Sequence, residues 1–319
     1  MLFLTETDVQ ALLPMKAAIE LVEASFVAQH RQSAINRSRT RIFLPGVSLH
    51  YMAAGLADEK LVGMKVYTVS RDALRFLVLL YDGTSGDLLA LLEADQLGRI
   101  RTGAASGVAT RYMARSGASR VGVIGTGRQA RTQLEAVAQV RRLEWARAFS
   151  RDAGRCQAFA EEMTRRLGFP VELVESAEAA VRSGDIVITA TNAREPVVRG
   201  EWLASGAHVN AIGANMLDRR ELDDQALTRA SLIAVDSLEQ AREEAGDLVQ
   251  GLGSIRSGWD GVLELHEIVS SARPGRSTEG DITIFKSSGI AIWDVMAAGY
   301  VYRRALEQGK GQQIAIWEG

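Results

Sequence analysis

Val121-Gly122-Val123-Ile124-Gly125-Thr126-Gly127-Arg128-Gln129-Ala130 is the stretch on which the fold of this chain turns. Its first four residues read as a short buried strand, and Arg128 to Val140 reads as a helix. Between them stands Gly-x-Gly-x-x-Ala, a turn that binds the pyrophosphate of a dinucleotide when strand and helix flank it. Gly125 permits the tight turn, and Gly127 lets backbone approach a phosphate with no Cβ in the way. Ala130 is small enough for close helix-on-strand packing. Arg128 and Gln129 open the helix, whose first N–H groups and positive dipole end attract the anion.

Outward from this turn the same rhythm continues. Strand candidates at 145–149, 171–174, 185–191, 208–212 and 232–235 alternate with helical pieces, one of which ends at Gly168 with Pro170 beyond it. Such alternation predicts an α/β fold with a Rossmann-type, doubly wound parallel sheet over residues 116–287. The strand at 145–149 is followed by Ser150-Arg151. NAD-preferring folds usually carry an acidic residue there, about 20 residues after the glycines, for the ribose 2′-OH. Ser150 and Arg151 suit a 2′-phosphate instead, so NADP(H) is favoured over NAD(H).

Toward the N-terminus the pattern changes. Residues 5–30 predict one helix, opened by a Thr5/Asp8 capping box and continued by Leu12, Met15, Ile19, Val22 and Phe26. Runs at 61–69, 75–81 and 88–92 predict strands, with Asp82-Gly83-Thr84-Ser85-Gly86 as a hairpin turn between the last two. Residues 97–115 predict a helix. A final amphipathic helix at 288–308, with Ile290, Trp293, Ala297 and Val301 on one face, lies beyond the βα repeat. It is expected to pack back on the first domain, giving a discontinuous α+β domain of residues 1–115 and 288–319.

Composition narrows the class. A chain of 319 residues suggests about two domains. Its 37 basic and 39 acidic residues nearly balance, which argues against nucleic acid or an anionic membrane as partner. No run of about eighteen apolar residues occurs, and acidic residues arrive too early for a secretory signal. Cys156 has no second cysteine to pair with, so a reducing, cytoplasmic compartment is expected. The histidines and Cys156 show no metal-ligand spacing, and no metal is expected.

Three further segments carry a resemblance. They are Arg99-Ile100-Arg101-Thr102-Gly103-Ala104-Ala105-Ser106, Ile212-Gly213-Ala214-Asn215 running on to Arg219-Arg220-Glu221-Leu222-Asp223, and Thr283-Ile284-Phe285-Lys286-Ser287-Ser288-Gly289-Ile290-Ala291-Ile292-Trp293-Asp294. With the glycine turn, they resemble the ornithine cyclodeaminase/mu-crystallin family along nearly the whole chain. That family includes ornithine and lysine cyclodeaminases, archaeal-type alanine dehydrogenases, ketimine reductases and mu-crystallin. The resemblance implies a Rossmann domain, a substrate-binding and dimerisation domain built from both chain ends, and a homodimer. It also implies a substrate carboxylate held by Arg39, Lys65 and Arg101. Chemistry agrees, because arginine binds carboxylates through paired, planar hydrogen bonds and Lys65 adds a point charge and a proton. Arg37 and Arg41 flank Arg39 at the same spacing. The resemblance further implies cofactor contacts at Thr102, at Thr189-Ala190-Thr191 and at Ser287. Asp294, in the first turns of the last helix, reads as a partner of the helix dipole.

One position departs from the pattern. Cyclodeaminases and alanine dehydrogenases of the family carry an aspartate where this chain has Asn215. Asparagine hydrogen-bonds an amine or imine but takes no proton, which disfavours amino-acid oxidation and is compatible with imine reduction. His50 stands where the cyclodeaminase branch has a glutamate, and its ordinary pKa makes it a second candidate acid after Lys65. The expectation is an NAD(P)H-dependent reductase of small 2-imino acids giving L-amino acids, or its reverse. The alternatives are a cyclodeaminase with bound NAD and a non-catalytic, NADPH-dependent binder of a small ligand.

Overall fold

Strand Arg120–Ile124 gives way after three residues to helix Arg128–Val140, as the glycine turn requires. This computed structural model describes residues 1–254 and 257–316. The chain divides into two units, Thr102–Ser288 and Met1–Arg101 with the segment from Gly289 onward.

The first of these is built on an eight-stranded sheet. Its order is Val262–Glu264, Leu232–Val235, Thr283–Lys286, His208–Ala211, Ile186–Thr189, Arg120–Ile124, Trp145–Phe149, Val171–Leu173, with every neighbouring pair parallel. Alternate residues serve opposite cores. Ile186 and Ile188 join Val121, Val123, Ala146 and Ala148 on one face, while Val187 joins Val209, Val235 and Ile284 on the other. Both faces are covered, so the strands read as nearly unbroken apolar runs. Chain direction across the sheet reverses at Arg120–Ile124, which pairs with Trp145–Phe149 on one side and Ile186–Thr189 on the other. The crevice beyond the carboxyl ends of strands at such a switch point is where open α/β sheets bind ligands.

The second unit carries a seven-stranded sheet, ordered Gln312–Gln313, Leu2–Leu4, Leu88–Glu93, Leu74–Asp82, Leu61–Ser70, Val47–Leu56, Ala34–Leu44. Neighbours are antiparallel except Leu2–Leu4 with Leu88–Glu93. Helices Met15–His30 and Ala291–Gln308 pack on it, with Phe26 edge-on to Trp293 at 5.5 Å. The last helix therefore packs with the first part of the chain.

Three expectations need correction. The helix expected over 5–30 is two helices, Glu6–Leu12 and Met15–His30. Pro14 (φ -71, ψ 149) takes the extended backbone of a cap there and has no N–H to continue the first helix. The Thr5/Asp8 capping box is present. Second, two long strands, Ala34–Leu44 and Val47–Leu56, stand where no element is predicted. Third, the unit boundary falls at Arg101/Thr102, inside helix Asp95–Met113, rather than at 115/116. The end of that helix is tied to the parallel sheet: Asn210 Nδ2 donates to Thr110 Oγ1 at 3.0 Å, and Thr283 Oγ1 donates to Met113 O at 3.1 Å. Among the described residues no helix is long and apolar enough to cross a membrane.

Candidate active site

In the parallel-sheet unit, Gly125 has φ +91, and a Cβ there would lie 2.6 Å from Ala190 O. Only glycine meets both demands. Around Gly127 a Cβ would meet nothing within 4 Å, so the space beside this backbone is open. Gly127 is the N-cap of helix Arg128–Val140 and brings no side chain to it, and the N-terminus of a helix attracts an anion. Ala130 is fully buried, Gln129 half-buried, and Arg128 exposed. An open cradle of this shape fits a dinucleotide pyrophosphate.

Beside it, Thr126 Oγ1 donates to Ser150 Oγ at 3.1 Å, and Ser150 Oγ donates to Asp152 O at 2.9 Å. Arg151 is exposed, and no acidic side chain occupies the end of this strand. Thr189 and Thr191 both donate to the buried Glu221, at 2.9 and 2.8 Å. Their hydroxyl protons are engaged within the protein. Glu221 also accepts from Thr191 N and Gly213 N, so one carboxylate ties together the loops after two adjacent strands. Burial pushes the Glu221 carboxyl above its ordinary pKa, and Lys286 pulls it back. Ser287 donates to Asp236 Oδ2 at 2.9 Å. Thr102 is buried, and Asn215 lies exposed on the loop after strand His208–Ala211.

The other unit holds the cations. Lys65 falls on the inward face of its strand, in line with Leu61 and Gly63, and pairs across with Met52. It is 4% exposed. Its Nζ donates to Asp294 Oδ1 at 3.1 Å, and Arg101 Nε donates to the same oxygen at 2.9 Å. Arg39 is the buried one of its three arginines, with Arg37 exposed and Arg41 half-buried. A bulge between Arg37 and Thr40 breaks the strand register at this point. Arg39 Nη2 donates to Gly289 O at 3.4 Å, and a Cβ on Gly289 (φ +80) would lie 2.5 Å from Arg101 Nη1. Arg39, Lys65 and Arg101 are thus one cluster. Arg101 Nη1 is buried with no hydrogen-bond partner among the described residues. Rings complete the surroundings: Lys65 Nζ sits 5.0 Å from the Phe76 centroid, and the Arg101 guanidinium 5.4 Å from that of Trp293.

Desolvation lowers the Lys65 pKa from 10.5 to about 8; Asp294 opposes this, while Arg101 and Arg39 reinforce it. His50 lies on the same sheet face, 2.8 Å from Ser48 Oγ through Nε2 and stacked on Tyr67 at 4.6 Å.

Sequence reasoning missed Asp294 and Gly98. Asp294 is no mere dipole partner but the fully buried anion of the cluster. A signal existed, since it shares a helix face with Ala291, Ala298 and Val301, and an acid among apolar neighbours implies a buried partner. Gly98 left none: a Cβ there would lie 2.7 Å from Lys65 Nζ. We therefore expect Gly98→Ala to keep or raise the melting temperature, because alanine favours a helix. The displaced ammonium should cost turnover on the order of 100-fold. Thermal unfolding and steady-state kinetics on one preparation check this; unchanged turnover would remove Lys65 from the chemistry.

The sequence model of the ornithine cyclodeaminase/mu-crystallin family matches residues 1–309. A Δ1-pyrroline-2-carboxylate reductase of Bacillus cereus is 38% identical over 287 residues, covering 88% of this chain and 86% of the relative. The solved Δ1-pyrroline-2-carboxylate reductase of Thermococcus litoralis, in complex with NADH and L-proline, superposes with a TM-score of 0.94 at 38% identity, covering 98% of this chain and all of that one. An archaeal alanine dehydrogenase dimer with bound NAD superposes at 0.93 with 32% identity, over 99% of both chains. This chain belongs to the ornithine cyclodeaminase/mu-crystallin family.

Proposed function

We propose that this protein is an NAD(P)H-dependent oxidoreductase that reduces small 2-imino acids to L-amino acids. The observation carrying this reading is the buried cluster of Arg39, Lys65 and Arg101, in which Lys65 and Arg101 share a single carboxylate oxygen of Asp294. Buried charges need partners, and the two positive charges of Lys65 and Arg101 exceed the single charge they share, an excess that an entering substrate carboxylate offsets. The bound nicotinamide cofactor supplies the hydride. Arg39 and Arg101 hold the carboxylate and orient C2; Lys65, with a pKa of about 8, gives its proton to the imine nitrogen. As an acid it acts when protonated, so reduction is full below pH 8 and falls as pH rises through that value. His50 is the second candidate for this proton. Asn215 hydrogen-bonds nitrogen without accepting a proton, in keeping with the reductive direction.

Gly125, Gly127 and the N–H groups of Arg128, Gln129 and Ala130 hold the pyrophosphate. Thr102 and the backbone of the Thr189-Ala190-Thr191 loop complete the cofactor contacts, while the hydroxyls of Thr189, Thr191 and Ser287 are held by Glu221 and Asp236 and keep these loops in place. NADP(H) is preferred over NAD(H) because Ser150 and Arg151 stand where an acid would reject a 2′-phosphate. Arg151→Ala is expected to raise KM for NADPH by about 10- to 100-fold and to leave KM for NADH unchanged. Equal effects on both cofactors would remove Arg151 from phosphate recognition.

The chain works as a cytoplasmic homodimer. Edge strand Ala34–Leu44 supports this, with Ile35, Ile42, Phe43 and Leu44 each about half or more exposed. The function is tested with a panel of cyclic ketimines, and of 2-oxo acids with ammonia or methylamine, followed by NADPH consumption. Ammonia release from L-ornithine without net change in NAD(P)H would point to a cyclodeaminase. Tight cofactor binding with no turnover of any imine would point to a binding protein.

A further inference from the structure

We infer that Asp294 is a positioning residue: by sharing one oxygen between Lys65 and Arg101, it keeps Lys65 charged for proton donation and leaves Arg101 Nη1 for the substrate. The inference rests on the proposed reduction only for the use of that proton.

The geometry is specific. Asp294 Oδ1 accepts from Lys65 Nζ at 3.1 Å and from Arg101 Nε at 2.9 Å, and the carboxylate is fully buried. Held through Nε, Arg101 retains a buried Nη1 with no partner among the described residues. Asp294 Oδ2 is likewise buried without a hydrogen bond. No other carboxylate acts on Lys65 as strongly. From strand Ala34–Leu44, beyond Val47–Leu56, comes Arg39, from helix Asp95–Met113 comes Arg101, and both favour the neutral amine. The titratable rings on the same sheet face are His50 and Tyr67, stacked on each other. Burial and two guanidinium groups therefore drive Lys65 toward losing its proton, and Asp294 alone among these groups holds it. Without the carboxylate, the ammonium would be depleted near neutrality, where the acid is needed.

The chain has five lysines, so protein labelled with 13C at the lysine ε-carbon gives a spectrum in which Lys65 is assigned by its loss in Lys65→Met. Its titration is read directly, without substrate or cofactor. Wild type is expected to titrate near pH 8. Asp294→Asn should move that midpoint down by about one pH unit or more, whereas Asp294→Glu, which keeps the charge, should hold it close to wild type. A purely structural role would loosen both variants alike and leave the midpoint in place. An unchanged midpoint in Asp294→Asn overturns the inference. Should that variant not fold, Arg101→Gln reads the same contact from the other side. Losing the competing donor and its charge should raise the Lys65 midpoint, and no change would again overturn the inference. The alkaline limb of imine reduction separates the two proposals. A Lys65 midpoint that moves while the limb stays fixed sustains the role of Asp294 and removes Lys65 as the acid.

Discussion

Replacing Lys65 by methionine is expected to lower turnover for imine reduction by about 10²- to 10⁴-fold, the range supplied by a positioned general acid. The Kd for NADPH should remain that of wild type. Methionine keeps much of the length and apolar stem, so the strand and its contact with Met52 persist while the proton and the charge are lost. Because Lys65 is buried and its ammonium is held against desolvation by one carboxylate, the variant also leaves Asp294 paired with Arg101 alone. The pH profile is the sharper readout. Wild type should lose activity as pH rises through about 8, the Lys65 pKa, and the residual activity of the variant should lack that limb. Stopped-flow reduction and fluorescence titration of NADPH measure the two quantities separately. Equal losses in both would place Lys65 in cofactor binding, and a surviving limb would pass the acid role to His50.

The second large effect concerns stability. Lys286 Nζ lies 3.1 Å from Asp247 Oδ2, both fully buried, as a charge contact off the line of a hydrogen bond. Asp247 Oδ1 accepts from the backbone of Glu221 and Leu222 at 2.6 and 2.8 Å. The Glu221 carboxylate in turn holds Thr189, Thr191 and Gly213. One lysine thus offsets two buried acids. Lys286→Met should destabilise the protein by about 3–5 kcal/mol, the cost of stranding a buried charge. Glu221 would then take up a proton, and its hold on the loops at the switch point should weaken, lowering NADPH affinity as well. Arg182→Met, which breaks the half-exposed pair with Glu178, is the control and should cost less than about 1 kcal/mol. Urea unfolding of both variants decides the matter. Equal midpoints would mean that the buried pair contributes nothing net.

These two residues show what sequence could and could not reveal. Lys65 is named by the family resemblance, and its place in an otherwise apolar strand agrees, because an unpaired lysine there would be costly; that it faces inward, in line with Leu61 and Gly63, is a matter of the fold. The glycine turn was legible because each small residue answers one steric demand, and helix Arg128–Val140 and strand Trp145–Phe149 follow with their expected bounds. Asp294 was misread because the first turn of a helix is where an acid belongs for dipole reasons alone. Its partners lie 229 and 193 positions away in sequence. Glu221 and Asp247 were opaque for the same reason: a buried network has no sequence period. Strand Ala34–Leu44 escaped because its middle, residues 36–41, is wholly polar with three arginines, and as an edge strand its pairing is set by its one neighbour. Pro14 should have divided the first helix; apolar spacing on either side of it concealed the break.

The most direct test of the account mixes purified protein and NADPH or NADH with each cyclic ketimine and each 2-oxo acid plus amine of the panel, and counts cofactor oxidised against L-amino acid formed between pH 6 and 10. The account predicts one cofactor consumed per L-amino acid for at least one of these imines, with a rate that is flat at low pH and falls through about pH 8. No affinity for either NADPH or NADH, or amino-acid formation with no alkaline limb near the Lys65 pKa, would contradict it.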